Sequence, residues 1–222
     1  MPTLTLTADM VLRGQGADPD KIRARRPDVI DITHQAIEIG SRMLKPQLFQ
    51  KRVKVMREQG NTLFLEGGAD LSGPFVPELL HGAEELVILA LTIGSGVEME
   101  SRRLLHADPP LGMALDGFGT AAAELFARQV TNDLESQAVQ EGMTISTPVS
   151  PGADVWPVDI GQPWIFGQLQ PDPAILRISA SGQMTPTKSI SLIIAAGLQL
   201  PHARSSCESC SSRDRCQYRQ HF

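Results

Sequence analysis

The chain has 222 residues, 41% of them hydrophobic and 20% charged, and its 25 acids against 20 bases give a formal charge of −5. That length fits one large domain or a domain with an appendage and buries roughly 70% of the unfolded surface, so the bulk needs neither metal nor disulfide to fold. The acidic balance speaks against a nucleic-acid partner, because the densest basic run, Lys21 to Arg26, is short and sits beside acids; the apolar stretches around Leu86–Ile93 and Leu192–Leu198 fall far below the roughly 20 residues of a membrane span.

In chain order, Met1 to Thr7 alternates small polar with apolar residues, lacks the basic start and apolar core of a signal peptide, and reads as an edge strand. The expected compartment is therefore the cytoplasm. Val29, Ile32, Ala36, Gly40 and Met43, with Ile37 and Leu44 beside them, follow helical spacing and predict an amphipathic helix ending near Lys45, ahead of Pro46. Lys51–Arg57 alternates Val53 and Val55 with bases, and Thr62–Leu65 follows the turn-forming Glu58-Gln59-Gly60-Asn61, a strand, turn, strand pattern. Pro77–Glu84 reads as a short helix. Glu85–Ile93 is apolar at nearly every position, as expected of a strand buried on both faces. Ser95 to Gly142 turns helical with a break at Asp108-Pro109-Pro110, and its second part carries Phe118, Ala122, Leu125, Phe126, Val130 and Leu134 at helical spacing. Beyond Met143 prolines punctuate short apolar pieces, of which Ala174–Ser179 and Lys188–Ala196 read as the last strands. Only the serine-rich tail from Ser205 stands apart in composition.

All three cysteines, Cys207, Cys210 and Cys216, lie in the last sixteen residues. The two-residue gap between the first pair lets both thiolates reach one metal or cluster. Three thiolates leave the fourth position open: zinc completed by His202 or His221, an iron–sulfur cluster whose remaining iron takes another group, or incidental reduced thiols. A second signal, Ser150-Pro151-Gly152-Ala153-Asp154-Val155-Trp156-Pro157, is a glycine-bearing turn with a carboxylate and an aromatic. It reads either as a ligand loop or as a structural turn with a buried tryptophan. A third is Lys188 beside Thr187 and Ser189, which reads as an anion contact or a solvated strand end. Gly94-Ser95-Gly96 lacks the third glycine and the lysine of a phosphate loop, His34, His81 and His106 are scattered, and neither a nucleophile elbow nor a zinc-protease motif is present.

The order of these pieces is similar to the free-standing relatives of the activation domain of cobalamin-dependent methionine synthase. The residues that carry the resemblance are the strand Glu85–Gly94, the helix opening Leu115-Asp116-Gly117-Phe118-Gly119-Thr120-Ala121-Ala122-Ala123-Glu124, the Ser-Pro-Gly…Asp…Trp-Pro loop at 150–157, and Pro186-Thr187-Lys188-Ser189-Ile190-Ser191. The resemblance covers roughly residues 75–197. It implies an α+β single domain over 1–200, with a twisted, largely antiparallel sheet flanked by helices, and a short Cys-rich tail over 201–222 like that of some free-standing members. It further implies an accessory role in methionine biosynthesis: capping a corrinoid carried by a partner methyltransferase, binding S-adenosylmethionine, and receiving an electron from a reductase. Under it Glu124, Gly152, Asp154, Trp156 and Lys188 are the ligand-side residues and Cys207, Cys210 and Cys216 the ligands of an electron-relaying iron–sulfur cluster, with zinc as the alternative.

The chain departs from the full-length enzymes at two points. Pro148 stands where they carry an arginine before the loop glycine, and Ala153 where a tyrosine follows it. Losing contacts worth on the order of 1–3 kcal/mol each weakens ligand binding about a hundredfold. The competing expectation is a non-catalytic interaction module with a decayed S-adenosylmethionine site and a zinc-stapled docking tail. An independent small-molecule enzyme finds no nucleophile–base pair to support it.

Overall fold

The computed structural model describes residues 4–152 and 156–201. Leu4 to Thr7 is not the edge strand expected from its alternation. Leu4 and Leu6 are both buried in the helical layer, and the Thr7 hydroxyl accepts from the Met10 N–H at 3.3 Å, capping the helix α1 (Ala8–Gly14). Period-two alternation is equally the pattern of an extended lead-in that tucks every second side chain under a helix. The short α2 (Pro19–Arg25) follows with Asp18 as its N-cap, and then α3 (Asp28–Ser41), the helix expected from the 29–44 periodicity.

The strands β1 (Gln47–Gln59), β2 (Thr62–Leu65) and β3 (Asp70–Ser72) form a meander, with Gly60 at φ +62° in its first turn. A single turn of π-helix, Val76–Leu80, occupies part of the expected 77–84 helix and leads into β4 (Glu85–Thr92). Two helices follow, α4 (Gly96–Ala107) and the 32-residue α5 (Pro109–Gln140). The expected break between them is made by Asp108, whose carboxylate accepts from the Leu111 N–H at 3.3 Å while Pro109 and Pro110 start the new helix. After β5 (Thr144–Ile145) comes α6 (Val158–Leu169), which the proline-rich texture of this region did not announce. Of the Ala174–Ser179 strand only β6 (Arg177–Ile178) forms, paired in a hairpin with β7 (Met184–Thr185). The last strand is β8 (Ser189–Gly197).

The main sheet has the order β3-β2-β1-β4-β8-β5, antiparallel throughout. Helices on both faces of this sheet make the molecule α+β, as the resemblance implies. Seven of the eight β4 residues are buried, and the period of two divides them between two cores. Val87, Leu89 and Leu91 join Phe118, Ala122 and Phe126 under the helical layer; Leu86 and Ile88 join Phe75, Trp156 and Ile165 under α6. Each buried Val, Leu, Ile or Phe among them contributes about 1.5–3 kcal/mol of burial free energy. The helical layer is close-packed through small residues. A Cβ built on Gly14 of α1 would lie 2.4 Å from the Gly117 carbonyl oxygen of α5, and one on Gly40 of α3 would lie 2.4 Å from the Phe118 ring.

Candidate functional site

The loop at 150–157 is hung from the edge of the main sheet. The Ser146 N–H donates to the Ala195 carbonyl at 2.9 Å, and its hydroxyl accepts from the Ala195 N–H at 2.9 Å. Val149 and Ile193 exchange both backbone bonds at 2.9 Å. Pro148 sits half-buried between these anchors, where a missing N–H costs nothing on an outer edge. Beyond them Gly152 takes φ +94°, and its N–H donates to the Trp156 carbonyl at 2.8 Å. Asp154 and Ala153 lie outside the described residues. Val158, at the start of α6, wedges between two left-handed glycines: Cβ atoms built on Gly152 and Gly182 (φ +79°) would stand 3.1 and 2.7 Å from its methyl groups. Gly152 is thus required both by its φ and by the space Val158 takes.

Trp156 is 2% exposed. Its ring lies 5.2 Å from Phe75 at a tilt of 41° and 6.1 Å from Trp164 edge-on, so its faces are taken up by the core under α6. Gly161 lets α6 approach, since a Cβ there would lie 2.8 Å from the indole. The next residue, Gln162 (5% exposed), accepts from the Ser191 hydroxyl at 3.0 Å, and Ser191 is 3% exposed. This buried polar pair, which no sequence motif marked, pins α6 to β8. A buried amide oxygen with a single good partner is costly to orphan, which makes the pair a register lock for the loop that precedes α6.

Lys188 is on the other side of the sheet. Its ammonium is 2.9 Å from the Asp116 carboxylate and 2.9 Å from the Thr120 hydroxyl, both on α5, and its stem lies over Gly119, whose absent Cβ would meet it at 3.1 Å. With a side chain only 15% exposed, Lys188 is held against α5 and is not a solvated strand end. The preceding Thr187 N–H donates to Glu98 Oε2 at 2.8 Å, and Glu98 pairs with Arg102 at 2.5 Å. These contacts clamp the entry of β8 to α4 and α5. Asp116, Thr120 and Glu98 are partners that a linear reading missed, although Asp116 and Thr120 stand inside the quoted helix opening. Glu124 is half-buried on α5, two turns beyond Asp116.

The structure therefore brings Gly152 and Trp156 together on the α6 face, and Glu124 and Lys188 onto the helical layer, with the sheet between Trp156 and Lys188. Among the described residues no group of three His, Cys, Asp or Glu side chains is placed to hold a metal ion. Cys207, Cys210 and Cys216, with His202 and His221, lie outside the described residues. Among the described residues no helix is long and apolar enough to cross a membrane.

No protein-family model matches the chain, and no curated protein matches it. Among solved structures it is similar to the crystal structure of the MetH reactivation domain bound to AdoHcy, with a TM-score of 0.64 and 12% sequence identity over 91% of this chain and 73% of that chain. The likeness establishes a shared fold.

Proposed function

We propose that the protein is an accessory factor for the reductive reactivation of a cobalamin-dependent methyltransferase, methionine synthase or a relative, acting in the cytoplasm on a corrinoid that the partner carries. The observation that carries the reading is the fold it shares, over 91% of its length, with a reactivation domain. Cobalamin supplies the redox and methyl-accepting chemistry, and the chain's own task is to bind and orient. We assign that task to Glu124 and to the Gly152 turn with Asp154. The two carboxylates suit the amino group or ribose hydroxyls of S-adenosylmethionine. The test is an anaerobic rescue: the partner methyltransferase trapped as cob(II)alamin, with reductant and S-adenosylmethionine, regains turnover when the protein is added. No gain over reductant alone refutes the reading.

A second reading has a specific observation in its favour. Trp156 is spent on the core and Lys188 on Asp116, so two of the five ligand-side residues are committed to the fold. With Pro148 and Ala153 in place of a charge and a ring, the fold then serves as an interaction module that has lost S-adenosylmethionine. Calorimetry separates the two: micromolar binding favours the first, and none at millimolar ligand favours the second.

For the tail over 201–222 the proposal is that Cys207, Cys210 and Cys216 bind an iron–sulfur cluster that relays an electron from a reductase. Zinc completed by His202 or His221 is the alternative. Brown protein with a broad visible absorbance after anaerobic purification supports the relay, and colourless protein with one zinc per chain refutes it. Cys210→Ser should abolish either signal.

A further inference from the structure

β1 is half open. Only Val55–Gln59 pairs with β2, whereas Gln47–Lys54 pairs with β4 alone. The Val55 N–H donates to the Glu84 carbonyl, so the alternation of an antiparallel ladder aims the backbone groups of Val53, Lys51, Phe49 and Gln47 at β4, and those of Lys54, Arg52, Gln50 and Leu48 away from it. The Lys54 carbonyl is taken by the Glu66 N–H at 2.9 Å. Among the described residues nothing pairs with the outward N–H and C=O groups of Leu48, Gln50 and Arg52, and all three residues are exposed. The segment is long for an edge and carries neither a proline nor a bulge to blunt it, since the one register shift lies beyond Val55.

Its charge is one-sided. Between Lys45 and Arg57 the chain carries five bases, Lys45, Lys51, Arg52, Lys54 and Arg57, and no acid, in a molecule of net charge −5. Among the described residues Lys51 meets only the neutral Gln168, at 3.1 Å, and Arg57 lies over the Phe64 ring at 4.2 Å. Arg52 bonds Gln137 at 2.8 Å and reaches Glu85 and Glu141 only at 3.7 and 3.9 Å. The bases also flank the edge on both sides, Lys51 towards α6 and Arg52 towards α5. A strand laid along the edge would have cations above and below it.

We propose that residues 48–52 are a docking edge on which a partner protein adds an acidic, extended segment as a further strand of the main sheet. Main-chain hydrogen bonds give the affinity and the flanking bases select the acidic sequence. A second copy of the chain fits poorly, because self-pairing would set five bases against five. The segment 202–222 fits poorly as well, with four arginines against Glu208 and Asp214.

The test uses the full chain and a synthetic, capped peptide alternating glutamate with valine and threonine. By backbone hydrogen exchange, the amides of Leu48, Gln50 and Arg52 should exchange fast in the free protein while those of Phe49, Lys51 and Val53 are protected, and the peptide should protect the outward set. Gln50→Pro deletes an outward N–H and no bond to β4; it should weaken the peptide roughly tenfold, the value of one or two backbone hydrogen bonds, while Gln50→Ala changes it less than about twofold. Protection of the outward amides in the free protein, with or without dimerisation, overturns the proposal. So does equal binding of a lysine-for-glutamate peptide or of a single-stranded oligonucleotide, or peptide binding that Gln50→Pro leaves unchanged.

Discussion

Trp156 is the residue on which a ligand role and a packing role diverge most sharply. Truncation to alanine removes an indole that packs against Phe75 and, edge-on, Trp164. The walls of the resulting cavity belong to α6 and the sheet, and the Gln162–Ser191 bond resists their collapse. A tryptophan-to-alanine change in such a site costs about 3–5 kcal/mol, a large share of the 5–15 kcal/mol typical of a whole domain. With a urea dependence of about 2.5 kcal/mol per molar, a loss of about 4 kcal/mol lowers the midpoint by about 1.6 M. Far-ultraviolet circular dichroism reads this without relying on the indole. Trp156→Phe keeps a ring against Phe75 and should cost only about 1–2 kcal/mol. It also leaves Trp164 as the sole tryptophan and so as a fluorescence reporter for α6. Two results would refute the reasoning: a Trp156→Ala midpoint within about 0.3 M of the parent, or a Trp156→Phe protein of near-parent stability that has lost S-adenosylmethionine binding. The second would mean that the ring stacks on a ligand.

Ser191→Ala orphans the Gln162 amide oxygen and should cost about 1–3 kcal/mol, whereas Ser191→Ala with Gln162→Leu should recover most of that loss; a double variant less stable than the sum of the singles argues against the lock. Gly14→Ala drives a methyl group into the Gly117 carbonyl and should lower the melting temperature by about 5 °C despite alanine's better helix propensity, so a rise would show that α1 and α5 separate cheaply. Burial alone would raise the Glu58 carboxyl, but the hydrogen bonds from His81 Nδ1 at 2.8 Å and from the Gly82 N–H at 3.1 Å outweigh it and hold the group below the usual glutamate range. Its stabilisation is then fully present above the unfolded value of about 4.3 and is lost as pH falls through the lower folded value, so Glu58→Gln should flatten the acid limb of the stability profile and leave its neutral side unchanged in slope.

Much of the fold was legible because its strongest signals are local. The run from Leu86 to Ile93 could hardly be anything but a strand covered on both faces, and Asp108-Pro109-Pro110 spelled out a cap and a helix start. α6 was hidden by Pro163 within it and by prolines on either side. Its remaining residues, Trp164, Ile165 and Phe166 among them, secure it by packing rather than by periodicity. Residues 4–7 misled because alternation does not say whether a neighbour strand exists. At the site, Gly152 was legible from its turn chemistry alone. The fate of Lys188 depended on Asp116, 72 residues earlier, and that of Trp156 on Phe75 from before the central strand, and no spacing rule reaches across such distances.

The place of β4 between β1 and β8 also bears on how the chain is made. Its first neighbour is already synthesised when it emerges, but Val87 waits for Ile194, more than a hundred residues later, before its second edge is covered. During that interval a continuous apolar strand has one finished side and one bare side, the condition under which nascent chains misassociate. A chain whose synthesis stops between Gly142 and Ser189 is therefore left with the bare β4 edge that favours misassociation. Residues 189–197 are the piece that covers the second edge of β4.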